Sequence, residues 1–408
     1  MNSLSARRGR TALFTLLYLS EGAPIGFIWW ALPTLLRKEG IAVERITSLT
    51  ALLVLPWVMK VAWAPLIDRF GRSQWGFRSC ILISQLIMGF ALLPLLWLTP
   101  GIHFHWWSGL LLLHAFAAAT QDVAIDAMAI NCVPEDERGR INGCMQAGML
   151  LGRSLFGGMA IVIGARFGWT WIIAALILCI WASLLLLLRN RETGNSISPT
   201  HQPVNLVAIF TNRRMWQGLG FALLAGAGFE STGVLAGPYL IDLGASADAV
   251  GIFYGLPVVA ATLVGGLLGG FFSDRFDVRR GVALSLTGWV MMIGALSFAH
   301  LSAPGEVRLA IPFGLLTGMY FFVGSFTVSS YALYMKLTDK SAAATQFSAF
   351  MAATNGCESW SGWAGGQLSG LFGYATSFAA LAVVSLASLR LLPNPGLDRE
   401  NSSVNQTT

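Results

Sequence analysis

Residues 64–72 read Ala-Pro-Leu-Ile-Asp-Arg-Phe-Gly-Arg, and residues 270–277 read Gly-Phe-Phe-Ser-Asp-Arg-Phe-Asp. Each stretch closes a long apolar run, and each carries Asp-Arg near its centre. Asp68-Arg69 returns as Asp274-Arg275 after 206 residues. Ala31-Leu32-Pro33 returns as Ala236-Gly237-Pro238, and Gly152-Arg153-Ser154 lines up with Cys357-Glu358-Ser359, both at an offset of 205. Three matches at nearly one offset mark an internal repeat of about half the chain.

Working outward from these motifs, apolar stretches recur near 11–36, 46–66, 79–98, 106–130, 141–164 and 169–188. A second set follows at 216–240, 248–272, 281–301, 309–335, 344–366 and 372–392. Each approaches the roughly 20 residues that a helix needs to cross a bilayer. The expected fold is all-α and integral to the membrane, with twelve transmembrane helices in two six-helix pseudo-repeats. The N-terminal half is 1–188, a cytoplasmic linker with Gly194, Pro199 and Pro203 is 189–215, the C-terminal half is 216–392, and 393–408 is a polar, disordered tail.

Composition agrees. Of 408 residues, 55% are hydrophobic and 11% charged, against about 25% charged in soluble domains. With the N-terminus in the cytoplasm, 19 of the 26 Lys and Arg fall in cytoplasmic segments and five in periplasmic loops. That asymmetry places both termini inside and requires an even number of spans. The net charge of +6 is scattered between apolar runs, which argues against nucleic acid as a partner. The five cysteines and five histidines lack metal-ligand spacing. No phosphate-binding Walker loop is present, so no enzyme activity and no cofactor are expected, and a proton gradient is the energy source.

Charges inside helices carry the chemistry. Glu21, Lys60, Asp122, Asp126, Arg153, Glu230 and Glu358 all fall within apolar runs. An ionisable group at the bilayer centre costs roughly 2.5–3.5 kcal/mol on insertion scales, so it persists with a partner, a wet cavity or a function. Glu21, Arg153 and Glu230 are expected near the midplane. Asp122 and Asp126 share one helix face at i, i+4, the arrangement of a proton carrier. Asp126 also has structural readings, as partner of Lys60 or Arg138. Lys60 is expected within two turns of the cytoplasmic end, where it can snorkel. Arg153 is the candidate for an anionic ligand group, with Glu230 or Glu358 as its alternative partners. Trp29-Trp30, Trp106-Trp107 and Trp169 with Trp171 are expected in interfacial belts. Tyr320, Phe321, Phe322, Tyr331 and Tyr334 are read as packing residues first and ligand-stacking residues second.

The two Asp-Arg stretches resemble the cytoplasmic signature of the major facilitator superfamily, Gly-x-x-x-Asp-Arg-x-Gly-Arg. Ala64 replaces the first Gly, and Asp277 replaces the second Gly of the later copy. The resemblance implies an alternating-access carrier in which Asp68, Arg69, Arg72, Asp274 and Arg275 latch the cytoplasmic side. Gln121-Asp122-x-x-x-Asp126, Pro134, Glu137-Arg138-Gly139, Lys60-x-x-Trp63-x-Pro65-Leu66-x-Asp68-Arg69 and Lys340-Ser341 before Ala344-Thr345-Gln346-Phe347 resemble a narrower AmpG-like branch. That branch holds muropeptide permeases, acetyl-CoA transporters and siderophore permeases of the rhizobactin and pyochelin type. The muropeptide permeases are longer, and their helix 5 arginine falls where Leu150 stands here. The expectation is therefore a monomeric, proton-coupled symporter of the bacterial inner membrane that imports a ferric siderophore. Muropeptide import is the alternative, followed by a small-molecule exporter or a non-transporting sensor of the same fold.

Overall fold

A computed structural model describes residues 7–71, 76–134, 137–188, 213–275, 277–302, 308–338 and 343–394. Its described residues form twelve helical rods and contain no strand. They are α1 (Arg7–Lys38), α2 (Val43–Gly71), α3 (Gly76–Leu96), α4 (Phe104–Cys132), α5 (Arg140–Phe167) and α6 (Trp169–Leu188). After these come α7 (Arg213–Asp242), α8 (Ala247–Phe272), α9 (Val278–Ser302), α10 (Ala310–Leu337), α11 (Ala343–Phe372) and α12 (Tyr374–Leu391). Helices satisfy every backbone group within the segment, as a lipid solvent demands.

Eleven of the twelve are long and apolar enough to span a membrane. The exception is α11, whose Ala, Ser, Gly and Asn content lowers its hydropathy although its 30 residues exceed the required length. Protein contacts shelter its polar groups. Trp360 Nε1 donates to Leu223 O at 2.9 Å, and Ser377 Oγ donates to Gly365 O at 2.8 Å. The expected spans agree with the rods to within a few residues. Of the expected linker 189–215 and tail 393–408, residues 189–212 and 395–408 lie outside the described residues, while 213–215 belong to the start of α7 and not to a linker.

The repeat is visible in the turns. Gly168 between α5 and α6 has φ +87°, and Gly373 between α11 and α12 has φ +80°. They lie 205 residues apart, and each occupies a conformation that a Cβ disfavours.

The chain divides into two compact units, Met1–Thr200 with Gly233–Val259, and His201–Thr232 with Ala260–Thr408. The tip of the α7–α8 hairpin thus packs within the first unit. In that unit α1 and α5 approach closely through small residues. A Cβ on Gly22 would lie 2.2 Å from Met149 O, and one on Gly152 would lie 2.4 Å from Leu19 O. Gly22 with Gly26 and Gly148 with Gly152 are two small-x-x-x-small pairs, which let helices pack where lipid gives no hydrophobic drive. Around the end where α1 begins, Leu13, Ile67, Ile81, Ile125, Met145 and Leu187 form a core to which all of the first six helices contribute.

Three helices of this unit break their register. π turns occupy Phe27–Ala31 in α1, Ser154–Met159 in α5 and Tyr254–Val258 in α8. They meet one another. Trp30 stacks on Tyr254 at 5.1 Å, and Ser154 Oγ donates to Gly255 O at 2.7 Å. A Cβ on Gly158 would sit 2.3 Å from Gly255 N. Farther along, Arg37 pairs with Asp242 at 2.8 Å and Arg166 with Asp248 at 2.7 Å.

Candidate functional site

Glu21 lies fourteen residues into α1, close to its middle, and is 3% exposed. Asp122, Asp126 and Lys60 are the charged neighbours of its carboxyl. Glu21 Oε2 is buried without a hydrogen-bond partner among the described residues. Lys60 on α2 places Nζ 2.5 Å from Asp122 Oδ2 on α4. One turn on, Asp126 accepts a hydrogen bond from the Tyr18 hydroxyl of α1. Three carboxyls, one ammonium and one phenol from α1, α2 and α4 therefore gather in one buried cluster.

This geometry corrects two expectations. Lys60 does not snorkel: α2 continues to Gly71, three helical turns beyond Lys60, and its ammonium turns inward to Asp122. A close opposite charge in a poorly solvated interior outweighs the reach to water. Asp126 pairs with Tyr18 instead of Lys60, while the Arg138 side chain lies outside the described residues. Tyr18 sits at i−3 from Glu21 and so shares its helix face. That spacing alone would have found it.

Arg153 lies at the middle of α5, directly before the π turn. Its guanidinium carbon stands 5.0 Å from the Trp29 ring centroid, and Trp29 packs against Trp57 at 6.4 Å. Trp29 and Trp30 are half-buried and pack against neighbouring helices, which an interfacial belt does not describe. The π turn at Phe27–Ala31 lies well inside α1 and turns both rings toward neighbouring helices. In the other two Trp pairs one ring meets each expectation. Trp106 and Trp171 are exposed, whereas Trp107 is buried and packs on Trp169 at 5.0 Å. Adjacent helical residues point about 100° apart, so one ring faces lipid and the next faces protein.

In the second unit Glu230 of α7 and Glu358 of α11 are both electrostatic neighbours of the buried Cys357 thiol. Tyr334 stacks flat on Phe350 at 4.7 Å and is fully buried, which makes it a packing residue. Tyr331 meets Phe347 edge-on at 6.1 Å and remains 38% exposed. Of the expected latch, Arg69 is exposed, and the Arg275 guanidinium lies 5.8 Å from the Phe271 ring. Arg72 and the side chains of Asp68 and Asp274 lie outside the described residues.

Three ion pairs among the described residues went unread in the sequence: Arg37–Asp242, Arg166–Asp248 and one between Arg10 and Glu137. Arg10 near the start of α1 grips Glu137 at the cap of α5 with Nε–Oε2 3.0 Å and Nη2–Oε1 2.7 Å. The Arg10 hydrogen bond holds the Glu137 carboxyl below the ordinary glutamate range, with Arg7 and Arg140 adding to it.

The sequence profile of the Major Facilitator Superfamily matches residues 14–362. Over 356 residues the chain is 28% identical to the anhydromuropeptide permease of Escherichia coli (strain K12), covering 83% of this chain and 70% of that one. Over 396 residues it is 25% identical to a protein of Rickettsia conorii named putative transporter AmpG 4, covering 92% and 94%. Among solved structures, a D-xylose–proton symporter superposes with TM-score 0.76 at 14% identity, covering 95% of this chain and 98% of that one. A nucleoside transporter superposes with TM-score 0.72 at 14% identity, covering 94% and 98%. At such identities the two structures speak for the fold alone.

Proposed function

Because the chain belongs to the Major Facilitator Superfamily and is a multi-pass membrane transporter, we propose that it is a proton-coupled importer of the bacterial inner membrane, and that its cargo is a sugar–peptide of the muropeptide class. The observation that carries the coupling is the burial of Glu21 beside the Lys60–Asp122 ion pair and Asp126. Three carboxyls gathered in a poorly solvated interior repel one another when all are ionised, and one ammonium offsets only one of them. Lys60 neutralises Asp122 from the other side, so proton arrival and departure redistribute charge between Glu21, Lys60 and Asp126. Arg153 supplies a fixed cation for an anionic group of the cargo. Each proton moved inward contributes about 2.3 kcal/mol per 100 mV.

The similarity to the permeases above favours muropeptides, and this reverses the order drawn from chain length, which put ferric siderophores first. The latch role of Asp68, Arg69, Arg72, Asp274 and Arg275, the inside position of both termini and the monomeric state belong to the same proposal. Glu230 and Glu358 complete it as proton-balancing groups in the second unit.

The test is uptake of labelled anhydromuropeptide, and in parallel of radiolabelled iron in several ferric siderophores, into cells with and without the protein. Muropeptide uptake that stops when the proton gradient is collapsed supports the reading. Iron uptake alone reinstates siderophore import. Uptake of neither, with a phenotype that persists when Glu21 and Asp122 are neutralised, points to a sensor.

A further inference from the structure

The face of the Trp29 indole is occupied by Arg153, whose guanidinium carbon stands 5.0 Å from the ring centroid. A cation over a ring uses the face and leaves the edge unused. That edge carries Nε1, which is buried and has no hydrogen-bond partner among the described residues. A phenylalanine would provide the same face and the same packing against Trp57 without burying a donor. An unmatched buried N–H calls for a partner that the protein itself does not supply.

Both residues sit at register breaks. Trp29 lies within the π turn Phe27–Ala31, and Arg153 caps the π turn Ser154–Met159. Single π turns re-aim side chains and concentrate at functional positions. The site also lies near the middle of α5, where water is scarce and a hydrogen bond to an anion is strengthened.

We propose that Trp29 and Arg153 form a carboxylate-binding subsite, in which the indole Nε1–H is the second donor beside the guanidinium. This deepens the import reading above by stating which chemical group of the cargo is held and by what. The two oxygens of a carboxylate match one guanidinium edge and one indole N–H, and a charge-assisted bond fixes orientation as well as charge. Trp29 is then a binding residue and not only a platform for Arg153.

The test uses the full chain purified in detergent and measures ligand-induced thermal stabilisation. The probes are salicylate, N-acetylmuramyl-L-alanyl-D-isoglutamine and the methyl ester of the latter. Trp29→Phe keeps the ring over which Arg153 lies and removes the donor; Trp29→His restores a ring N–H. Affinity for the acids should fall roughly 10-fold in Trp29→Phe and recover in part in Trp29→His, while the ester binds Trp29→Phe and the unaltered protein alike. Equal loss for acid and ester would reduce Trp29 to packing and overturn the proposal. So would unchanged acid binding in Trp29→Phe, or no binding of either acid to the unaltered protein at about 10 mM. Acid binding with the expected loss but no muropeptide uptake in cells would sink the import reading and leave this subsite standing.

Discussion

Lys60 Nζ lies 2.5 Å from Asp122 Oδ2, across the contact between α2 and α4. The ammonium is thereby committed to the carboxyl that also faces Glu21, and Asp126, four residues on, is left to the Tyr18 hydroxyl. Asp122 thus belongs both to an ion pair and to the buried cluster of three carboxyls.

Replacing Asp122 with Asn should abolish proton-driven uptake. It also removes the carboxylate that Lys60 contacts, at a cost of about 1.5–3 kcal/mol. Lys60→Met combined with Asp122→Asn should recover most of that loss in thermal stability without recovering uptake. Recovery of uptake in the double variant would make the pair structural.

Tyr18→Phe removes the hydrogen bond to Asp126 and keeps the ring in the core around Leu17 and Met128. A lost hydrogen bond to a carboxylate corresponds to about 1.5–3 kcal/mol. The expected result is normal insertion with a shifted pH profile of uptake. An unshifted profile would mean that Asp126 takes no part in coupling.

The close approach of α1 and α5 gives a stability prediction. Gly152→Ala places a Cβ 2.4 Å from Leu19 O and 2.8 Å from Ala23 N. Backbone, not a flexible side chain, would have to yield, so a loss of about 1–3 kcal/mol is expected. Gly143→Ala, which meets nothing within 4 Å, serves as the control. Thermal unfolding of the two variants in detergent decides the matter.

Glu137 has a pH signature of its own. The Arg10 contact depresses its folded value, so its contribution to stability is full above the unfolded value of about 4.3. It is lost as pH falls through the depressed folded value. Glu137→Gln should be less stable than the unaltered protein at neutral pH, and the two should converge in acid. Parallel curves across the range would mean that the pair adds nothing.

The twelve rods and their repeat were readable because lipid imposes a length and an apolar composition on each span. Only α11 strained that rule, and its Ser and Gly content explains the margin. The titratable members of the cluster were readable for the same reason: in an apolar run every carboxyl stands out. Their pairing was not. Whether Lys60 meets Asp122 or Asp126 depends on helix rotation by a fraction of a turn, which no spacing within α2 records. The aromatic partners escaped for a different reason. Trp29, Trp30 and Tyr254 lie in or at the edge of π turns, and a π turn shifts every later residue of a helix out of the 3.6-residue register from which faces are read.

Arg37 and Asp242 stand 205 residues apart, the spacing of the repeat itself, and they touch. Such a contact joins a position to its own counterpart. Two identical copies would set like residues against each other at such a position, arginine to arginine or aspartate to aspartate. A complementary pair there requires the two repeats to differ. The salt bridge is therefore a place where the chain departs from its own symmetry, and it uses that departure to hold one repeat-related position against the other.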